Sequence, residues 1–412
     1  MIYVEFFDRN PLENVCSCLA AMPEKVIMIG SEKKIMKKQQ MRFKRILEGR
    51  GIETEFINME ADEENMQHQI EVLTSVVNAY DDCVFDLTGG DELSLVAAGI
   101  IYERYREQKK IRLQRVSIKT NMVLDCEIDG KSSKSPMPEL SIEENILLYG
   151  GDVIYSSDGC ANVTSVWEDS ESFFKDVDRI WDVARQDPKA WSSHIGKMAL
   201  AESHRDSQKS DELTTVLDTE KNKGIGFFVN FDILNQLTKN NLIAYEFKKG
   251  CFQIQYKNEQ VKKCMSKEGM ALEMKVYVTA KRLKQDGNPL YNDVMNGVVI
   301  DWDGNLTQMG NPYNEMDVCL MKGSIPIFIS CKSGDVSLDE LFKLSSVGEH
   351  FGSVYAKKIL FANHLPVKKE ARQHMINRAK DLGIFIVEKA YQLSEEDFSA
   401  TVESLYKNQK NA

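Results

Sequence analysis

The chain of 412 residues has no run approaching the ~20 consecutive apolar residues that a bilayer-spanning helix requires, although 42% of it is hydrophobic. No membrane association is expected. Its first residues, Met1 to Phe6, have no basic region ahead of the apolar run and no cleavage site, which predicts a strand and not a signal peptide. No Cys/His spacing matches a zinc site. The nine cysteines are scattered, with Cys16-x-Cys18 the only tight pair, a usage that suits reduced thiols in a cytoplasmic protein. His350, His364 and His374 stand isolated and read as surface residues. Positive charge is in deficit. A formal net charge of −11 argues against a protein that coats nucleic acid electrostatically. It still admits a nuclease whose local positive charge comes from metal ions. The one basic stretch, Lys33, Lys34, Lys37, Lys38, Arg42, Lys44 and Arg45, reads as a solvated helix face. Internal repeats, low-complexity segments, a G-x-G-x-x-G and a Walker loop are all missing.

What is present is a regular order of elements. Strands near 2–7, 25–30, 54–58 and 82–87 alternate with helices near 11–21, 31–50, 62–79 and 91–107. Further strands follow near 111–119 and 122–128, then a loop at 130–140. This is the pattern of a doubly wound α/β fold. Residues 160–206 read as polar helix interrupted at Pro188, and 207–224 as a charged linker. A helix from 231 to 240 precedes a hairpin turning at Lys249-Gly250, an arrangement that looks like a small winged helix. From 267 onward the order is helix, three strands, helix, strand, helix, strand, which predicts a mixed sheet flanked by helices. Three units are expected, at 1–155, 156–262 and 263–412.

Ligands of parallel α/β sheets bind at the carboxyl ends of the strands. Three such ends carry suitable chemistry here: Asp8-Arg9-Asn10-Pro11, Gly30-Ser31 and Thr88-Gly89-Gly90-Asp91. Glycines let backbone amides approach a phosphate, and a helix starting near 91 points its positive end there. Asp8 and Asn10 suit base or ribose edges. The competing explanation is that Gly89-Gly90 only makes a turn and Asp91 only caps a helix. The run Phe85-Asp86-Leu87-Thr88-Gly89-Gly90-Asp91-Glu92, placed after four strand–helix units, resembles the CARF domain. That resemblance implies a Rossmann-like sensor domain that dimerises and binds a cyclic oligoadenylate across the two-fold axis, with Asp8 to Asn14, Gly30-Ser31 and Thr88 to Gly90 lining the pocket.

At the other end, residues 315–332 read as a hairpin. Gly323-Ser324 joins two alternating segments, so Lys322 should pair with Ile325, Asp317 with Ser330 and Glu315 with Lys332. Alternation then puts Glu315, Asp317, Ser330 and Lys332 on one face, away from the turn. Acids, a hydroxyl and an ammonium are costly to bury there unless paired or metal-bound. A sheet-edge salt bridge of Asp317 with Lys332 is the plainer explanation. Glu273 lies on the helical stripe Met270, Glu273, Tyr277, Ala280, which is otherwise apolar. Together these residues resemble the core of the PD-(D/E)xK nucleases, which have a restriction-endonuclease-like α/β fold. The departure is Ser330, where that family has Asp or Glu. Either Glu273 or Glu315 supplies the missing charge with the Cys331 carbonyl as a further ligand, the favoured alternative, or the site is impaired.

The succession of parts resembles the ancillary nucleases of type III CRISPR systems. It implies a homodimer activated by a cyclic oligoadenylate, cyclic tetra-adenylate first among them, that cleaves single-stranded DNA or RNA, or duplex DNA, with Mn²⁺ or Mg²⁺. Glu273, Glu315, Asp317 and the Cys331 carbonyl would hold metal, and Glu273, Asp317, Ser330 and Lys332 would carry the chemistry. Alternatives are a ligand-responsive transcription regulator that binds DNA through residues 225–257, or a scaffold with a degenerate nuclease domain.

Overall fold

Two α/β sheets share a layer of helices between them. The structure, a computed structural model, describes residues 1–30, 33–59, 65–118, 122–126, 132–134, 138–156, 163–304 and 313–407. The first part runs β1 (Ile2–Phe6), α1 (Pro11–Ala21), β2 (Lys25–Gly30), α2 (Lys33–Gly49), β3 (Glu53–Asn58), α3 (Met66–Ala79), β4 (Asp82–Asp86), α4 (Glu92–Tyr105), β5 (Lys110–Ser117), β6 (Met122–Asp125) and β7 (Ser132–Lys134). Strand order is β3-β2-β1-β4-β5-β6-β7. The first five strands are parallel and the last two antiparallel, as the doubly wound pattern predicts. The expected loop at 130–140 is corrected in part. Ser132–Lys134 has no apolar alternation to announce it, yet it pairs with the open edge of β6.

A helix, α5 (Ile142–Tyr149), follows with a capping box between Ser141 and Glu144. A two-residue strand, β8 (Asp152–Val153), then joins the second sheet and not the first. The connecting region comprises α6 (Glu171–Ala184), α7 (Pro188–Ser203), β9 (Thr214–Asp218), α8 (Phe231–Lys239), β10 (Ile243–Lys248), β11 (Cys251–Tyr256) and α9 (Glu259–Cys264). One expectation holds here and one changes. The helical run is interrupted at Pro188 as expected, since α6 ends at Ala184 and α7 begins at Pro188. That proline occupies the first turn of α7, where its missing N–H costs nothing, and Asp187 caps that turn. The expected linker at 207–224 contains a buried strand, β9, which extends the hairpin to the three-stranded order β10-β11-β9. Charged flanks hide the short β-branched run Thr214-Thr215-Val216.

The last part runs α10 (Met270–Arg282), the ribbon β12 (Lys284–Gln285) and β13 (Asn288–Pro289), β14 (Asp293–Asp301), β15 (Tyr313–Lys322), β16 (Ile325–Lys332), α11 (Leu338–Gly352), β17 (Lys357–Ala362), α12 (Lys369–Asp381), β18 (Ile384–Glu388) and α13 (Glu395–Ser404). Its sheet has the order β18-β17-β16-β15-β14-β8. Helix α10 is buried along most of its length on one face, sharing a core with α6 and α13. On the other face one continuous core holds Tyr3 and Met28 of the first sheet, Phe43 of α2, Ile146 of α5, Leu344 and Phe351 of α11, and Phe328 of the second sheet. Helices α1, α2, α5 and α11 therefore link the sheets through apolar packing. The eight described cysteines are all free. Among the described residues no helix is long and apolar enough to cross a membrane.

Candidate active site and ligand-binding edge

The first sheet reverses its winding at β1. The chain moves outward through β2 and β3, then places β4 on the other side of β1. The crevice at such a reversal is where these sheets take ligands. The loops after β1, β2 and β4 meet there. A Cβ on Gly89 would lie 2.7 Å from the Asp8 Cβ, and one on Gly90, whose φ is +98°, would lie 2.5 Å from the Phe6 Cβ. Only glycine allows this approach without displacing β1. Gly30 abuts Phe7 in the same way. Ser31 lies outside the described residues, and Arg9 is exposed.

Several side chains expected to meet a ligand are occupied in folding these loops. Asp8 Oδ1 accepts the Asn10 amide at 2.7 Å, and the Asp8 N–H donates to Asn14 Oδ1 at 2.7 Å. Asn10 caps α1, donates to Glu13 Oε1 at 3.1 Å and accepts from the Tyr149 hydroxyl at 3.3 Å. The Thr88 hydroxyl donates to Asp86 and accepts from the Val116 N–H. Asp91 does cap α4, taking the Ser94 N–H at 2.9 Å. The edge thus offers backbone more than free side chains.

The second site lies where β15 and β16 part. The two-residue turn forms as expected, with φ +63° at Gly323 and Lys322 opposite Ile325. The predicted pairs Asp317–Ser330 and Glu315–Lys332 are corrected, because the β15–β16 ladder ends at Val318 and Ile329. Beyond it β15 stays paired with β14, and β16 with β17. The Asp317 carboxylate occupies the gap. Its Oδ2 accepts the Cys331 N–H at 2.6 Å and the Ser330 hydroxyl at 3.2 Å. One acid side chain thereby replaces a strand partner.

Glu315, Asp317, Ser330 and Lys332 line one cleft with Glu340 and Lys343 of α11. Glu273 enters from α10, and its carboxylate and the Cys331 carbonyl both border Gly269, where a Cβ would lie 2.9 Å from Glu273 Oε1 and 4.0 Å from the carbonyl oxygen. Burial, then the neighbouring Asp317 charge, push the Glu273 carboxyl up to about 8. Burial also raises Asp317, against the pull of Lys332 and the Cys331 N–H. Burial alone would lower Lys332, but Asp317 and Glu340 outweigh it and hold the ammonium more firmly charged. Lys332 Nζ sits 3.0 Å from Glu340 Oε2, and Lys267 Nζ 3.0 Å from Glu315 Oε1. The salt bridge expected on the plainer explanation is therefore made to Glu340, not to Asp317. The Cys331 thiol is buried among apolar side chains and raised far out of thiolate range, so it is the backbone of this residue and not its thiol that engages Asp317.

Among the described residues no three His, Cys, Asp or Glu side chains form a ready metal cage. The donors that do converge are two carboxylates and a carbonyl. Magnesium and manganese accept such a set because they take hard oxygens, and magnesium keeps several waters. A cation would also offset the burial and the Asp317 charge that raise the Glu273 carboxyl. The chain's own residues therefore fit a small divalent ion.

Glu340, Lys343 and Lys267 escape sequence reading. For Glu340 and Lys343 the one signal is geometric: α11 follows β16 and returns over it, which brings its first turns above that strand's end.

Comparisons of the sequence with family models and with curated proteins find no match. Comparison of the structure does. Protein VC1899 from Vibrio cholerae matches over 98% of this chain and 96% of its own, with TM-score 0.72 at 18% identity. Can2 from Sulfobacillus thermosulfidooxidans, solved in complex with cyclic tetra-adenylate, matches over 98% and 97%, with TM-score 0.62 at 16% identity. At these identities the likeness is one of fold, and it runs from end to end. The architecture expected from the resemblance to CARF-containing ancillary nucleases is the architecture observed.

Proposed function

We propose that this chain is a metal-dependent endonuclease switched on by a cyclic oligoadenylate, cyclic tetra-adenylate being the first candidate, and that it works as a cytoplasmic homodimer in type III CRISPR defence. One observation carries the reading. Asp317 is wedged between parted strands, its Oδ2 held by the Cys331 N–H and the Ser330 hydroxyl, while a second buried acid, Glu273, and the Lys332 ammonium both lie close enough to interact electrostatically with it. A structural ion pair does not call for a second, mutually repelling acid.

In this reading Glu273, Asp317 and the Cys331 carbonyl hold Mn²⁺ or Mg²⁺. The ion, when bound, lowers the pKa of a water and neutralises charge on the phosphorane. Ser330 fixes the Asp317 carboxylate through its hydroxyl, which lessens the loss of an acid at that position. Lys332 stays protonated and stabilises developing negative charge once it leaves Glu340. Lys343 and Lys267 flank the cleft and meet the phosphates of a DNA or RNA strand. The fold likeness to Can2 and the loops converging at the first sheet's reversal support the activator half of the reading.

A physical route joins the two ends. Glu13 Oε1 takes both the Asn10 amide and the Tyr355 hydroxyl, the latter at 2.6 Å. Tyr355 closes the turn after α11, and α11 carries Glu340, the partner of Lys332. A ligand that engages Asn10 differently in two states would bias α11 through this contact. The regulator alternative finds little in α8, which buries Ile233, Leu234 and Leu237 and offers Asp232 beside a single Lys239.

Labelled single- and double-stranded DNA and RNA, incubated with Mn²⁺ or Mg²⁺ and a panel of cyclic oligoadenylates, test the proposal. Cleavage should need both metal and activator and should vanish in Asp317→Ala and Lys332→Ala. Equal cleavage with and without activator rejects the switch. Inactivity of the parent chain under every condition favours the degenerate scaffold.

A further inference from the structure

Beneath the ligand-binding edge a second pair of acids is sealed in the first sheet. Glu5 of β1 and Asp86 of β4 are register partners on adjacent parallel strands, and both are 0% exposed. As register partners their side chains stand on the same face of the sheet, where each carboxyl acts directly on the other. The other partners are distributed unevenly. Glu5 Oε2 accepts the Ser17 hydroxyl at 2.8 Å, with the Cys18 thiol at 3.9 Å. Asp86 Oδ1 accepts both the N–H and the hydroxyl of Thr88, at 3.0 and 2.5 Å. That leaves Glu5 Oε1 and Asp86 Oδ2, each buried and without a further partner. The groups acting most strongly on the pair are Ser17 of α1, Asp8 of the loop after β1 and Thr88 itself, and the pair in turn raises Tyr3 of β1 and Cys18 of α1. None of them is a cation.

Two ionised carboxylates cannot share such a site at tolerable cost. One proton between Oε1 and Oδ2 resolves the conflict and satisfies both orphaned oxygens. Its position follows from the donors. Asp86 already receives two hydrogen bonds from Thr88, as an anion does, whereas Glu5 receives one strong bond and can donate another.

We infer that Glu5 is a positioning residue: held as the neutral acid, it donates a hydrogen bond to Asp86 and leaves Asp86 the single buried anion from which the Thr88–Gly90 loop is suspended. Burial raises Glu5 well above the usual carboxylate range, which agrees. The effect on ligand affinity rests on the proposed function of that loop. The protonation state and the anchoring do not.

Three measurements on the full chain test this. A difference infrared spectrum at pH 7 between the parent and Glu5→Gln should show the loss of one neutral carboxyl band. Hydrogen exchange of residues 87–92 should be unchanged in Glu5→Gln, whose amide makes the same donation, and faster in Glu5→Leu and Thr88→Val. Cyclic tetra-adenylate should bind Glu5→Gln with parent affinity, and the other two at least about tenfold more weakly. No neutral band, or equal loosening in Glu5→Gln and Glu5→Leu, overturns the proposal. Should Glu5→Leu fail to fold, the infrared and Glu5→Gln arms still decide. If the parent does not bind the ring while exchange follows the stated order, the anchor stands and the ligand reading fails.

Discussion

The molecule sets a pair of acids at each of its two large sheets, and the pairs are built to opposite ends. Glu5 and Asp86 are sealed, lie in register on neighbouring strands, and are satisfied by one proton and by Ser17 and Thr88. Glu273 and Asp317 come from a helix and a strand and meet where a ladder has ended, and Asp317 lines a cleft together with Lys332. A closed pair can only share a proton and so serves as an anchor. An open pair can exchange its proton for a cation from solvent. The lesson is that perturbed acids alone do not mark a reaction centre; access does.

The sharpest way to break this contrast is at the open pair. Asp317→Asn should cut metal-dependent cleavage roughly 100- to 1,000-fold at a near-parent melting temperature, because the amide oxygen still accepts from the Cys331 N–H and the Ser330 hydroxyl. A large loss of stability instead would make this pair structural, like the other. Lys332→Arg should fail to restore rate, because a planar guanidinium does not reproduce a compact ammonium.

At the closed end, Gly90→Ala should cost about 1–3 kcal/mol of stability by chemical denaturation and weaken ring binding. The methyl would meet Phe6, and φ there is +98°. An unperturbed variant would mean that the loop is not tightly seated on β1.

Tyr355→Phe probes the link between the regions. Ring affinity should stay within about twofold, while the activation ratio falls by roughly tenfold, the worth of one hydrogen bond to a carboxylate. Parallel loss of binding and activation would place Tyr355 in the pocket's support and not in the coupling.

The smallest effect is in pH. Glu273 is raised from its unfolded value to about 8. Its contribution to metal-free stability is complete below the unfolded carboxylate pKa and is lost as pH rises toward about 8. Metal must displace that proton, so apparent Mg²⁺ affinity should increase over the same interval. Glu273→Gln should flatten the stability profile. A profile unchanged by that substitution would locate the proton elsewhere.

Much of this organisation is readable from local pattern. Period-two alternation in 315–332 and the Gly323-Ser324 turn correctly put Lys322 opposite Ile325 and led to Asp317, Ser330 and Lys332. The strand–helix alternation predicted the first sheet, and the three glycine- or aspartate-bearing strand ends do meet. Other features carried no local mark. Thr214–Asp218 reads as charged linker because its neighbours are charged, and Asp152–Val153 is too short to show a period. Glu5 sits unremarked in a five-residue strand until Asp86, distant in sequence, becomes its neighbour.

Composition and periodicity settled most of the longer strands and helices and the tight turns at Lys249-Gly250 and Gly323-Ser324, because those outcomes depend on contacts between residues close in the chain. Where β15 and β16 part, which acid lacks a cation, and that Glu340 reaches Lys332 depend on strand order and on how α10 and α11 seat against the sheet. Those are products of burial between distant segments, where one displaced ladder or one sealed oxygen changes what a carboxylate can do.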